Sequence, residues 1–162
     1  RAQIEFVLAA GLKPTHLDSH CHVHTRREAI FDRVVKLARQ HGLAVRAHTQ
    51  PLIEKLRQAG LPGNDHEVLD SYHIDSPHLA KGDKLYCFQQ LLRELPPGLS
   101  EWAIHPGMES AELKAMEPTW EVRKEDLRFL LSPESATVVR DSGVVILNYR
   151  TLQKYWQSLL LS

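Results

Sequence analysis

Apolar residues in this chain recur at two spacings that alternate along its length. Residues 1 to 10 place Ile4, Val7 and Leu8 on one side of a helix, with Gly11 as its C-terminal stop and Pro14 blocking continuation. Thr15 to His20 reads as a short strand. Arg26 to His41 carries a helical stripe of Ile30, Val34, Leu37 and Ala38, ended by Gly42. Leu43 to Ala47 is a short buried-type strand, and Pro51 to Ala59 a short helix closed by Gly60.

The second half repeats the alternation after a turn-rich stretch from Leu61 to His66. Glu67 to Ile74 reads as a strand, Lys84 to Glu94 as a helix stopped by Pro96-Pro97-Gly98, and Leu99 to His105 as a strand ending in Pro106-Gly107. Glu109 to Val122 is a long polar connection with room for helix. Glu125 to Leu131 is helical, and Ser132-Pro133 opens the next helix, Ser132 as N-cap and Pro133 at the first position. Val144 to Tyr149 reads as a final buried strand, and Thr151 to Leu160 as a final helix. Strands alternating with helices predict an α/β fold: about five mostly parallel strands with helical crossovers. That is too few for a closed eight-stranded barrel, which takes about 250 residues. It suits an open sheet or the later part of a barrel.

Composition narrows the class of partner. The chain has 162 residues, 43% hydrophobic and 25% charged, enough for one domain with its own core. Twenty basic and twenty acidic residues cancel, which argues against nucleic acid and against anionic lipid. No apolar run reaches the roughly 20 residues needed to span a bilayer. Cys21 and Cys87 form no CxxC, so free thiols in a cytoplasmic protein are expected. The chain opens at Arg1 inside an amphipathic pattern, so residues 1–162 are expected to be the later part of a longer protein.

The segment from Thr15 to His24 holds four of the ten histidines and one aspartate. His16, Asp18, His20, His22 and His24 occupy even positions, so an extended backbone would put all five side chains on one face. In parallel α/β folds, sites gather at the carboxyl ends of strands. The other strand ends supply Arg46 and His48, His73 and Asp75, and His105. His20 and His22 can bind a metal through neutral imidazole, or lie in a polar loop without one. Asp18 orients a ligating histidine or is a turn carboxylate. Arg46 binds substrate or forms a plain salt bridge. His105 is a general-acid candidate, or packs under its loop. Trp120 is the tryptophan most suited to a sugar, while His41, His66 and His78 read as surface residues.

Lys13-Pro14-Thr15-His16-Leu17-Asp18-Ser19-His20-Cys21-His22-Val23-His24 resembles the Lys-Pro-Thr-His-Leu-Asp-Ser-His-His-His-Val-His hallmark of the YdjC-like carbohydrate deacetylases. Leu95-Pro96-Pro97-Gly98-Leu99-Ser100-Glu101, followed by Ile104-His105-Pro106-Gly107, is similar to a second family segment. Leu43 to Arg46, Arg123 to Leu130 and Ser142 to Leu152 look like further family elements, so the resemblance covers nearly the whole chain. It implies a deacetylase-type (β/α) barrel, of which this chain is the later part, and removal of an acetyl group from an N-acetylated sugar. It implies a divalent ion, Mg2+ or Zn2+, held by one aspartate and two histidines, of which His20 matches one. The Asp-Asp and Gly-x-His motifs that carry the other ligands are absent from this sequence, and Cys21 replaces a family histidine. His105 is then the group expected to protonate the leaving amine. Asp18, His22, Arg46, His16 and His24 are expected to bind substrate or support the ligand. With one ligand of three, these 162 residues are expected to be inactive alone. The family commonly forms dimers, which makes a homodimer the expectation.

Two other readings compete. Asp18-Ser19-His20-Cys21-His22 also fits the Asp-x-His-x-His pattern of metal-dependent phosphoesterases of the PHP and TatD-like kinds. There the motif lies on the first strand, whereas here a helix precedes it. The third reading is a non-catalytic carbohydrate-binding remnant that kept the fold.

Overall fold

A computed structural model describes residues 1–74 and 84–160. Asp75 and His78 lie outside the described residues. The chain divides into two compact units, Arg1–Glu67 together with Leu147–Ser162, and Val68–Ile146.

In the first unit, helix α1 (Ala2–Ala9) leads into strand β1 (His16–Leu17), helix α2 (Glu28–His41), strand β2 (Ala44–Val45) and helix α3 (Gln50–Gln58). Helix α8 (Tyr149–Leu160) belongs to the same unit. β1 and β2 pair in parallel, His16 opposite Ala44 and Leu17 opposite Val45. The ladder continues where Arg46 N donates to Leu17 O at 3.0 Å. Such a pair needs a crossover, and α2 supplies it. Its buried face is Phe31, Val35 and Ala38. It ends where Gly42 takes φ 64°, a left-handed conformation that glycine adopts without a Cβ penalty. Phe31, Ile53 and Leu56 are fully buried beside Val45, and Trp156 of α8 joins this core. The Trp156 indole donates from Nε1 to Gly60 O at 3.0 Å, so its polar edge is satisfied.

The second unit contains β3 (Leu69–Asp70), α4 (Lys84–Arg93), β4 (Trp102–Ala103), α5 (Ala111–Met116), α6 (Trp120–Leu131) and α7 (Pro133–Asp141). β3 and β4 are parallel, with Leu69 opposite Trp102 and Asp70 opposite Ala103. Phe88 meets Trp102 and Phe129 edge-on, at 4.9 and 5.2 Å between ring centroids, an arrangement the ring quadrupoles favour. α7 starts as its sequence signals: the Ser132 hydroxyl accepts from Ser135 N at 3.1 Å, and Pro133 follows.

Several elements differ from the sequence expectation. The described residues contain four strands of two residues each, in two parallel pairs, rather than about five longer ones. Val144 to Tyr149 is not a buried strand: Val145 and Ile146 are 76% and 77% exposed, and the final helix already begins at Tyr149. Strand propensity reports how well a side chain packs against neighbouring strands, and this stretch has no strand neighbour among the described residues. Helix α6 begins at Trp120 rather than Glu125. Its inward face includes the fully buried Asp126 beside Phe129, a carboxylate where an apolar residue would have revealed the period. No helix among the described residues is long and apolar enough to cross a membrane.

Candidate active site

Strand β1 stops at Leu17, and the chain after it does not stay extended. His20–Thr25 forms a 3-10 turn in which Cys21 and His22 both adopt left-handed φ, 50° and 53°. This overturns the expected alternation, because a reversed backbone cannot keep even-numbered side chains on one face. The five groups are instead dealt out to separate partners.

His16 stacks on Tyr149 at 3.9 Å between centroids, and its Nδ1 lies 3.0 Å from Thr15 Oγ1. Asp18 accepts from Ser19 N at 2.7 Å and from Arg46 Nη1 at 3.1 Å. Burial opposes its ionisation, but the Ser19 N–H and the Arg46 guanidinium outweigh burial and hold its carboxyl below the ordinary value. His24 is buried, with Nδ1 2.6 Å from Ser19 Oγ and Nε2 2.8 Å from Arg46 O. A carbonyl only accepts, so Nε2 carries the proton and Nδ1 accepts from the Ser19 hydroxyl. Both ring nitrogens are thereby used, and His24 braces the loop against the end of β2.

His22 faces His48, ring centroids 4.3 Å apart, and the Nδ1 atom of each is buried without a hydrogen-bond partner. Burial, reinforced by the neighbouring His22, pushes His48 below the ordinary imidazole value. His20 and Cys21 are exposed at the head of the turn. Among the described residues no three His, Cys, Asp or Glu side chains are grouped closely enough to hold a metal ion. Asp18, His20 and His22 therefore do not form one three-residue cluster. His24 is committed to its brace, and His20 is the histidine presented outward. His20 is thus the residue of this turn that could offer an imidazole to an ion.

In the second unit, His105 follows β4, and its Nε2 lies 3.2 Å from Asp70 Oδ1 at the end of β3. Asp70 also accepts from Tyr72 N at 2.9 Å, and its other oxygen lies 3.7 Å from His73 Nδ1. The Tyr72 ring tilts against His105 at 4.7 Å. The sequence predicts a strand running on to Ile74, which passes over Asp70, whereas β3 ends at Asp70. With the end there, the strand-end rule that selects His105 also selects Asp70. Trp120 lies under Lys114 and Lys124, whose Nζ atoms are 4.4 and 5.7 Å from the ring centroid. The ring surface those cations cover is not open to a sugar.

Short parallel strand pairs joined through helices define an α/β protein with histidines after its strand ends. A family model described as YdjC-like protein matches residues 1–141, and the chain belongs to that family. It is 27% identical over 152 residues to a carbohydrate deacetylase of Thermoanaerobacter pseudethanolicus, covering 93% of this chain and 57% of that protein. It is 30% identical to the carbohydrate deacetylase of Geobacillus stearothermophilus, over 94% of this chain and 58% of that one. The crystal structure of an Enterococcus faecalis protein superposes with a TM-score of 0.72 at 24% identity, over 93% of this chain and 57% of that one. That likeness shows the fold. The chain thus spans under two thirds of the length of these relatives.

Proposed function

We propose that this chain is the later part of a metal-dependent deacetylase that removes the acetyl group from an N-acetylated sugar or oligosaccharide. The carbohydrate deacetylases it resembles support the reaction class. The observation that carries the reading is the contact between His105 and Asp70 at 3.2 Å. A carboxylate on Nε2 fixes the ring and leaves Nδ1 as the position from which a proton can be passed to a leaving amine. Asp70 is itself held by Tyr72 N, so the ring is oriented against a fixed group rather than a mobile one.

In this reading His20 donates one imidazole to a divalent ion, Mg2+ or Zn2+, whose bound form supplies Lewis-acid activation of the acetyl carbonyl. Arg46 and Asp18 pair at the edge of the His20 turn, and His24 fixes that turn to β2. His22 and His16 support the same segment. The two parallel pairs would be completed as a (β/α) barrel by residues beyond this chain, in a cytoplasmic homodimer.

The test is deacetylation of N-acetylglucosamine oligomers by the full gene product, with metal supplied. His105→Ala is expected to lower kcat by about 10²–10⁴, the usual contribution of a general acid or base. The 162 residues alone are expected to show no turnover. Measurable deacetylation by them alone would refute the claim that the site needs residues from elsewhere. Unchanged turnover in His105→Ala would remove that residue from the mechanism. Carbohydrate binding without turnover in the full product would favour the non-catalytic reading.

A further inference from the structure

We propose that Asp126 is a positioning residue for His105, a buried carboxylate that ties the carboxyl ends of β3 and β4 to a single point. The inference rests on the reading of His105 as the proton donor.

Asp126 is completely buried on α6. Its Oδ2 accepts from the Ser71 hydroxyl at 2.5 Å and from the backbone N–H of His105 at 2.8 Å. Its Oδ1 lies 3.4 Å from Lys84 Nζ, itself nearly buried on α4. A carboxylate without partners in such a place would be strongly disfavoured, so these donors are what permit it. Their positions matter more than their number. Ser71 is the residue immediately after Asp70, and the bond to His105 is made by that residue's own main chain. One oxygen therefore holds the Ser71 side chain on one side of the Asp70–His105 contact and the His105 main chain on the other. The ladder bond from Ser71 N to Ala103 O, 3.1 Å, sets the strands side by side. Asp126 takes over where that pairing ends and holds His105, two residues past the strand, at the level of Asp70.

A core role alone would require only that the buried charge be neutralised, which Lys84 does. The bonds from Ser71 and His105 to one oxygen serve a second purpose, alignment of the ring with its carboxylate. A ring that donates from Nδ1 carries protons on both nitrogens, and because Asp70 only accepts, the Nε2 proton stays directed at the carboxylate and the ring left after transfer is the Nε2–H tautomer. Misalignment would remove the preference for that tautomer.

The experiment is imidazole 15N spectroscopy of His105 in the labelled chain, with amide exchange of His105 measured alongside. The main variant is Asp126→Leu combined with Lys84→Met, which replaces both buried charges by apolar side chains and leaves no orphaned ion. Amide exchange at His105 is expected to rise about tenfold or more, from loss of a hydrogen bond to a charged acceptor. The ring is expected to lose its preference for the Nε2–H form. Ser71→Ala keeps the carboxylate and removes one donor, and is expected to move the ring signature in the same direction by less. A wild-type ring signature in the folded double variant would overturn the proposal. If the double variant does not fold, a wild-type signature in Ser71→Ala would overturn it. These spectra do not depend on turnover, so a failed deacetylation assay would sink the function and leave this positioning result standing.

Discussion

The buried ring of His24 donates from Nε2 to the carbonyl of Arg46 at 2.8 Å, joining the turn after β1 to the residue that follows β2. The same ring accepts from Ser19, whose hydroxyl oxygen also takes the backbone N–H of His24 at 3.1 Å. Three hydrogen bonds thus converge on one side chain and its own loop. His24→Ala leaves the Arg46 carbonyl and the Ser19 hydroxyl without that partner and opens a void next to Phe31. The expected cost is about 2–4 kcal/mol, combining lost hydrogen bonds with a cavity. Urea denaturation measures it, and a loss below about 0.5 kcal/mol, the scale of an ordinary surface substitution, would show that the loop holds without the brace.

Cys21 sits at φ 50° and is exposed, so its side chain has little to lose and its backbone something to gain. Left-handed conformations cost an L-residue about 1–2 kcal/mol, a cost glycine does not carry. Cys21→Gly is therefore expected to be neutral or stabilising by up to about 1 kcal/mol, after the greater freedom of glycine in the unfolded chain is counted. Cys21→Val, β-branched at the same φ, is expected to destabilise by about 1–2 kcal/mol. Thermal melts of the pair give the comparison, and a Gly variant less stable than the Val variant would sink it.

The same two left-handed residues explain why part of the site was not legible in the sequence. The even-position pattern from His16 to His24 is real, but it locates side chains only if the backbone stays extended, and nothing in the residue types at Cys21 and His22 announces a reversal. The start of α7 was legible because a Ser-Pro cap acts within four residues. The end of α2 was legible for the same reason, since Gly42 does its work locally. Asp126 was not, because its partner lies 21 residues away at His105. A carboxylate in an amphipathic pattern is placed on the outer face unless tertiary donors are known. Val144 to Tyr149 differs from expectation for the opposite reason: local propensity is clear, and the missing ingredient is a neighbouring strand among the described residues.

Glu109 lies between Lys114 Nζ and Lys124 Nζ, each 2.6 Å away. Those two ammonium groups pull its carboxyl from 4.5 down to about 2. A folded value below the unfolded one means that the unfolded state binds the proton first as pH falls. The contribution to stability is therefore present above about 4.5 and lost as pH drops toward about 2. The group is exposed, so solvent and salt screen the effect and the stability change is expected to be small. The sharper check is an NMR titration of the Glu109 carboxyl. It should titrate well below an ordinary glutamate, and move up in Lys124→Met and in high salt. A normal midpoint at low salt would show that the lysines do not hold it.

His20 and His22 stand two residues apart, yet their surroundings predict different responses to metal. His20 is exposed, with no hydrogen bond to its ring among the described residues, whereas His22 is turned by its left-handed backbone toward His48. If His20 gives one imidazole to the ion, His20→Ala removes a ligand outright. If His22 only supports the segment, His22→Ala should weaken binding by roughly 10–100-fold, the cost seen when partners of ligands are lost, and His20→Ala should weaken it more. Calorimetric titration of the full gene product with Zn2+ reads both without any assay of turnover. The phosphoesterase alternative makes the two histidines joint ligands and requires equal, near-complete loss in each variant. A larger loss in His22→Ala than in His20→Ala would reverse the assignment and point to the His22–His48 pair as the metal-facing one.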